Sequence, residues 1–85
     1  MPALFVLDVP EFAAIVTHAR ATPGFHVSGP VQGYYKVAAQ PKLVLNRKAL
    51  AFKPAVWHGA MTGGFIGRIE QFDNDMLILV DEAAS

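Results

Sequence analysis

Residues 65–80 read FIGRIEQFDNDMLILV, and this stretch decides the fold. Its two halves, 65–72 and 76–80, carry β-branched, aromatic and other apolar residues and flank Asp73-Asn74-Asp75, residue types that tolerate the positive φ of tight turns. The pattern predicts an antiparallel hairpin. Gly67, inside the first strand, marks a bulge or a place where another backbone comes close. In the second strand Met76, Ile78 and Val80 alternate with Leu77 and Leu79, so both faces are apolar. A sheet with one wet face would alternate apolar with polar residues, so both faces of this strand need cover: a helix over Pro10 to about Ala21 covers only part of one, which leaves the other to barrel closure or, preferred, to a second subunit.

Working outward, residues 3–7 (ALFVL) form a short continuous apolar run that predicts a buried strand. Asp8 offers a carboxylate as N-cap, Pro10 suits a first helical turn, and Glu11 completes a signature like a capping box. A helix from Pro10 to about Ala21 follows, with Phe12, Ile15, Val16 and Ala19 on one apolar stripe. His18 lies off that stripe and reads as a solvated residue, and Thr22-Pro23-Gly24 stops the helix. The period then changes to two. Residues 25–28 predict a short strand broken by Gly29-Pro30, and residues 31–39 (VQGYYKVAA) a longer one, ended by Gln40-Pro41.

Residues 42–46 and 48–53 read as strands or as one bent strand, with Leu50 and Phe52 on one side and Ala49 and Ala51 on the other. Lys53-Pro54 then predicts a strand end, bulge or edge, which places Trp57-His58-Gly59 near a sheet margin. Thr62-Gly63-Gly64 is loop chemistry, and Ala83-Ala84-Ser85 reads as a frayed end. The expected class is α+β: an N-terminal strand and helix packed on an antiparallel, strongly curved sheet of about five to six short strands, within a single small domain.

A chain of 85 residues is expected to bury only about 60–65 % of its unfolded surface. Such domains recruit disulfides, metals or subunits. There are no cysteines, and His18, His26 and His58 lack paired-ligand spacing, so neither a disulfide nor a metal site is expected, and no cofactor motif is present. Hydrophobic residues make up 53 % of the chain and charged ones 16 %, more apolar surface than a small core hides. A homo-oligomer is therefore expected, a dimer first. The apolar opening, residues 1–9, lacks a basic leader and ends at Pro10, and no apolar run approaches the ~20 residues of a spanning helix, so the expectation is a cytoplasmic protein without a membrane partner.

Net charge is zero, yet all seven basic residues lie between Phe12 and Ile69 and all seven acids lie outside that window. Residues 46–68 hold the only Trp, four of the cations and no acid. Cations beside aromatics suit a planar anion: Arg or Lys takes the charge while Tyr and Trp give flat contact and a donor. On that reasoning Tyr34, Tyr35, Arg47, Lys48, Lys53, Trp57, His58 and Arg68, with Lys36 beside the tyrosines, form the expected binding set for a carboxylate, a phosphate or a partner protein. The competing expectation is that the acidic ends neutralise this middle strand by strand.

An enzyme with an interface active site is the alternative, with Tyr34, Tyr35 and His58 supplying the chemistry. Other catalytic signatures are missing. Gly63-Gly64 and Gly67 are not followed by the Lys-Ser/Thr of a phosphate loop, and Ser28 and Ser85, the only serines, stand in no nucleophile context. Asp73 and Asp75 are turn formers. Seven cations at zero net charge make nucleic acid an unfavoured partner.

Residues 65–83, FIGRIEQFDNDMLILVDEA, resemble the hairpin of Sm-like RNA-binding proteins, in which a glycine-containing strand leads to Phe-Asp, a turn and an apolar strand. The resemblance implies a small barrel preceded by a helix and, as a second alternative, an RNA-binding module. Leu77 stands where that family carries an asparagine after the methionine.

Overall fold

A computed structural model describes residues 1–82; Ala83, Ala84 and Ser85, with the frayed end expected there, lie outside the described residues. The chain is α+β, and its described residues form seven strands in two antiparallel sheets and two α-helices. The strands are β1 (Ala3–Leu7), β2 (Phe25–Val31), β3 (Tyr34–Ala39), β4 (Leu43–Asn46), β5 (Phe65–Ile66), β6 (Arg68–Phe72) and β7 (Met76–Val80), and the helices are α1 (Ala13–Ala21) and α2 (Pro54–Gly59). The first sheet has the order β2-β3-β1-β5 and the second β4-β7-β6. The single curved sheet expected from the sequence is thus two sheets, and they do not close into a barrel.

Gly67 makes the division. It sits at φ +112° between β5, which pairs with β1, and β6, which pairs with β7. A Cβ there would run into the Val80 carbonyl oxygen and come within 3.3 Å of Pro2 Cβ, so the close approach read from the sequence is real. The run 65–72 is one segment serving two sheets. Its hairpin with β7 closes as expected: Asp73 Oδ1 accepts from the backbone N–H groups of Asp75 and Met76, each at 2.9 Å.

One core joins both sheets and both helices. Leu4, Val6 and Val37 enter it from the first sheet, Leu43, Leu45, Leu77 and Leu79 from the second, and Ile15, Val16 and Ala19 from the expected stripe of α1. On β7 only one face is fully covered. Leu77 and Leu79 are buried, and so is Val80 at the strand end, but Met76 and Ile78 on the other face are half-buried.

Asp8 does not cap the helix. The Val9 N–H bonds to the Leu7 carbonyl in a tight turn at Asp8, and the 3₁₀ turn Pro10–Phe12 takes Val9, one residue later, as its cap, with no side-chain acceptor. Asp8 therefore stands outside the cap position from which a carboxylate reaches first-turn N–H groups. His18 is half-buried, edge-on to Phe25 at 5.7 Å between ring centroids, instead of solvated.

The strand expected over 31–39 is interrupted. Gln32 and Gly33, at φ 52° and 84°, form a two-residue hairpin loop, and β2 instead continues through Gly29-Pro30 by an irregular step. Gln lacks the turn signature of Asn or Asp, so the loop hides in the sequence. Residues 48–53 are not a strand either. Asn46 accepts the Ala49 N–H on its side-chain oxygen at 3.0 Å and the Leu50 N–H on its carbonyl at 3.2 Å, a local alternative to a sheet ladder. Leu50 and Phe52 still reach the core, but from turns. Pro54 then opens a helix instead of ending a strand, so Trp57 and His58 ride on α2 and not on a sheet margin. Among the described residues no helix is long and apolar enough to cross a membrane.

Candidate functional site

The residues expected to form one binding set fall into separate surroundings. β3 separates the tyrosines, because neighbouring side chains on a strand point to opposite faces. Tyr35 lies on the side of the first sheet that α1 covers, where the Arg20 guanidinium carbon stands 5.7 Å from its ring centroid. Tyr34 and Lys36 lie on the outer side. There Ser28, Lys36 and Phe5 are register partners across β2, β3 and β1, and Tyr34 pairs with Leu7.

This outer face holds a cavity of about 460 Å³ walled by Phe5, Ser28, Val31, Tyr34, Lys36 and Gly63, together with the Gly29 and Gln32 backbone region. The 3₁₀ turn Ala60–Gly63 runs close against β1, and the Phe5 N–H donates to the Gly64 carbonyl just after it at 3.0 Å. Gly63 is required there: an added Cβ would collide with the Phe5 carbonyl and approach Tyr34 Cε1 to 2.8 Å. No acid lines the cavity, and among the described residues Lys36 enters no ion pair. Lys36, Ser28 and Tyr34 are the cation, the hydroxyl and the phenol of a wall that also includes apolar Phe5 and Val31.

Arg47, Trp57 and His58 form a different unit, a clamp on the β6–β7 turn. Arg47 donates to the Asn74 carbonyl, to the Phe52 carbonyl at 2.9 Å and to Asp75 Oδ1 at 3.4 Å. The Trp57 indole N–H donates to the Asp73 carbonyl at 2.7 Å, and its buried ring lies 6.0 Å from that of Phe72. His58 Nε2 lies 3.0 Å from Asn74 Oδ1, a hydrogen bond that holds when that nitrogen carries the proton, and its ring meets Phe72 edge-on. The Asp73 carboxyl is held below its usual range, first by the Asp75 N–H, then by the Met76 N–H and the Gln71 amide. All of these partners hold a turn in shape.

Lys48 and Lys53 are exposed around the 47–53 turns and form no ion pair among the described residues. Arg68 is exposed at the start of β6, opposite Val80. Among the described residues the acidic end pairs with the basic middle through Lys42–Glu70 at 3.1 Å and Arg47–Asp75 at 3.4 Å. Sequence reasoning did not connect Phe5, Ser28 and Val31 with Lys36. Strict alternation along 34–36 was the available signal, since it puts Tyr34 with Lys36 and leaves Tyr35 on the other face.

The hairpin that resembles Sm-like proteins is present, with Ala83 outside the described residues. Here, however, a strand precedes the helix and the sheets stay open. No protein-family model matches this sequence, and comparison with curated proteins finds no match.

Proposed function

We propose that this protein is a noncatalytic binding protein that holds a small anion with an apolar body, a carboxylate or phosphate on a ring or short chain, on the outer face of its first sheet. The observation that carries the reading is Lys36, a mid-strand cation without a counter-ion among the described residues, flanked by Ser28 and Tyr34 over Phe5 and Val31. An anion about 4 Å from such an ammonium gains about 4 kcal/mol at a surface-like effective dielectric, before desolvation is counted. The apolar walls add area-dependent burial, and the hydroxyls orient the ligand. An active site built from Tyr34, Tyr35 and His58 is disfavoured, because these side chains sit in three separate surroundings.

The test is calorimetric titration with benzoate, phenyl phosphate and benzyl alcohol at two salt concentrations. Either anion should bind, benzyl alcohol should not, and affinity should fall as salt rises. Lys36→Gln should weaken anion binding by about tenfold or more, roughly 1.4 kcal/mol. Absence of binding by both anions, or unchanged binding in the variant, would overturn the reading.

We also propose that the chain self-associates. Phe65, Ile66 and Ile69 are 39 %, 45 % and 41 % exposed on the segment shared by the two sheets, a run of apolar surface that favours burial against a second copy. A dimer burying at least ~1,000 Å² in total is expected, and light scattering after gel filtration that returned a micromolar monomer would refute it.

A further inference from the structure

A second cavity, of about 300 Å³, lies where the connection from β1 to α1, the first turns of α1 and Tyr35 of β3 meet. Its apolar surface includes Leu7, Phe12 and Val16. Its polar surface holds Asp8 on the connection and Thr17 and Arg20 on α1, which are three residues apart and so share a helix face. The two charges line one small space without meeting: no ion pair joins Asp8 to Arg20, and neither has another ion-pair partner among the described residues.

They stand on separately anchored elements. The Asp8 backbone N–H donates to the Gly33 carbonyl at 2.8 Å, which ties that residue to the β2–β3 loop, and its carboxylate is left without a capping role. The Arg20 guanidinium carbon lies over the Tyr35 ring, 5.7 Å from its centroid, a cation–π contact that uses up none of the five N–H donors. The cavity therefore has a negative pole, a positive pole and an apolar floor. A simple anion would meet Arg20 but be repelled by Asp8, and a simple cation would meet the reverse. A ligand with both charges a few bonds apart satisfies both poles.

We propose that this cavity binds a free α-amino acid with an apolar side chain as its zwitterion, the ammonium on Asp8, the carboxylate on Arg20 with the Thr17 hydroxyl, and the side chain against Phe12 and Val16. The volume is at the small end of ligand pockets, as such a molecule requires. The site is separate from the outer-face cavity, with no wall residue in common.

The experiment is a titration of the full chain, followed by amide chemical shifts, with L-leucine, N-acetyl-leucine and leucinamide. Leucine should bind saturably and shift amides within residues 8–20 and at Tyr35. The acetylated form, an anion only, and the amide, a cation only, should each bind about tenfold more weakly or less. Asp8→Asn and Arg20→Gln should each weaken leucine by a similar factor, and Asp8→Asn should also narrow the gap between leucine and N-acetyl-leucine. Because the ligand series uses the unaltered chain, its result does not depend on the variants folding. No saturable binding, equal binding of a blocked form, or shifts confined to residues 28–36 would each overturn the proposal.

Discussion

Gly59 and Gly63 stand four residues apart, and replacing each with alanine should move stability in opposite directions. At Gly59 the backbone is already helical, φ −67° and ψ −23°, and an added Cβ would meet only Phe12 Cζ at 3.7 Å, an ordinary contact. Removing glycine's freedom from the unfolded chain should then stabilise by about 0.4–1 kcal/mol. At Gly63 the same methyl would strike the Phe5 carbonyl and approach Tyr34 Cε1 to 2.8 Å. Phe5 cannot retreat, because β1 is paired on both sides and the Phe5 N–H is bonded to the Gly64 carbonyl at 3.0 Å. The 3₁₀ turn must lift instead, an overpacking cost of about 1–3 kcal/mol.

Stability for a chain of this length is about 4–13 kcal/mol, so both variants should fold. With about 4–8 °C per kcal/mol for a domain of this size, Gly63→Ala should melt lower and Gly59→Ala slightly higher, the two separated by about 6 °C or more in a calorimetric scan. Gly63→Ala should also weaken benzoate or phenyl phosphate, since it displaces the Tyr34 ring from the cavity wall. Equal melting temperatures for the two variants would refute the close approach of the turn to β1.

Three further outcomes are expected. Asp73→Ala should destabilise the protein at neutral pH. Because the folded carboxyl titrates below its unfolded value of about 3.9, that stabilisation is present above this value and lost as pH falls through the folded one, so wild-type and variant urea midpoints should converge only in strong acid. Trp57→Phe removes the donor to the Asp73 carbonyl and leaves a small void, a loss of about 1–3 kcal/mol by circular-dichroism unfolding; an unchanged midpoint would mean that the clamp contributes nothing. Asp8→Ala should leave the melting temperature within the ±0.5 kcal/mol range of about 2–4 °C for surface changes, whereas a larger drop would restore its capping role.

The elements that the sequence makes legible are those whose pattern is set locally. The ALFVL strand, the Ile15-Val16-Ala19 stripe and the Asp73 turn follow from apolar period and turn chemistry alone. The misread stretches are those where a side chain or a distant backbone competes with the pattern. Asn46 converts an alternating run into turns, and Pro54 has two meanings, of which only the position of Trp57 in the core selects the helical one. The candidate site was partly visible, because alternation sorts Tyr34 and Lys36 from Tyr35. Its remaining walls come from β1, β2 and the Ala60–Gly63 turn, whose meeting depends on strand order, and nothing local in the sequence specifies that order.

The segment that crosses at Gly67 also sets how the molecule comes apart. Since β5 completes the first sheet and β6 the second within one unbroken run, neither sheet can shed its share without pulling on the other. Cutting the chain between the sheets in sequence, after Ala39 for instance, leaves the first half without its fourth strand. The domain should behave as one indivisible cooperative unit. In native-state hydrogen exchange, the amides of Leu4 and Leu79 should open with the same free energy and the same denaturant dependence, although they belong to different sheets.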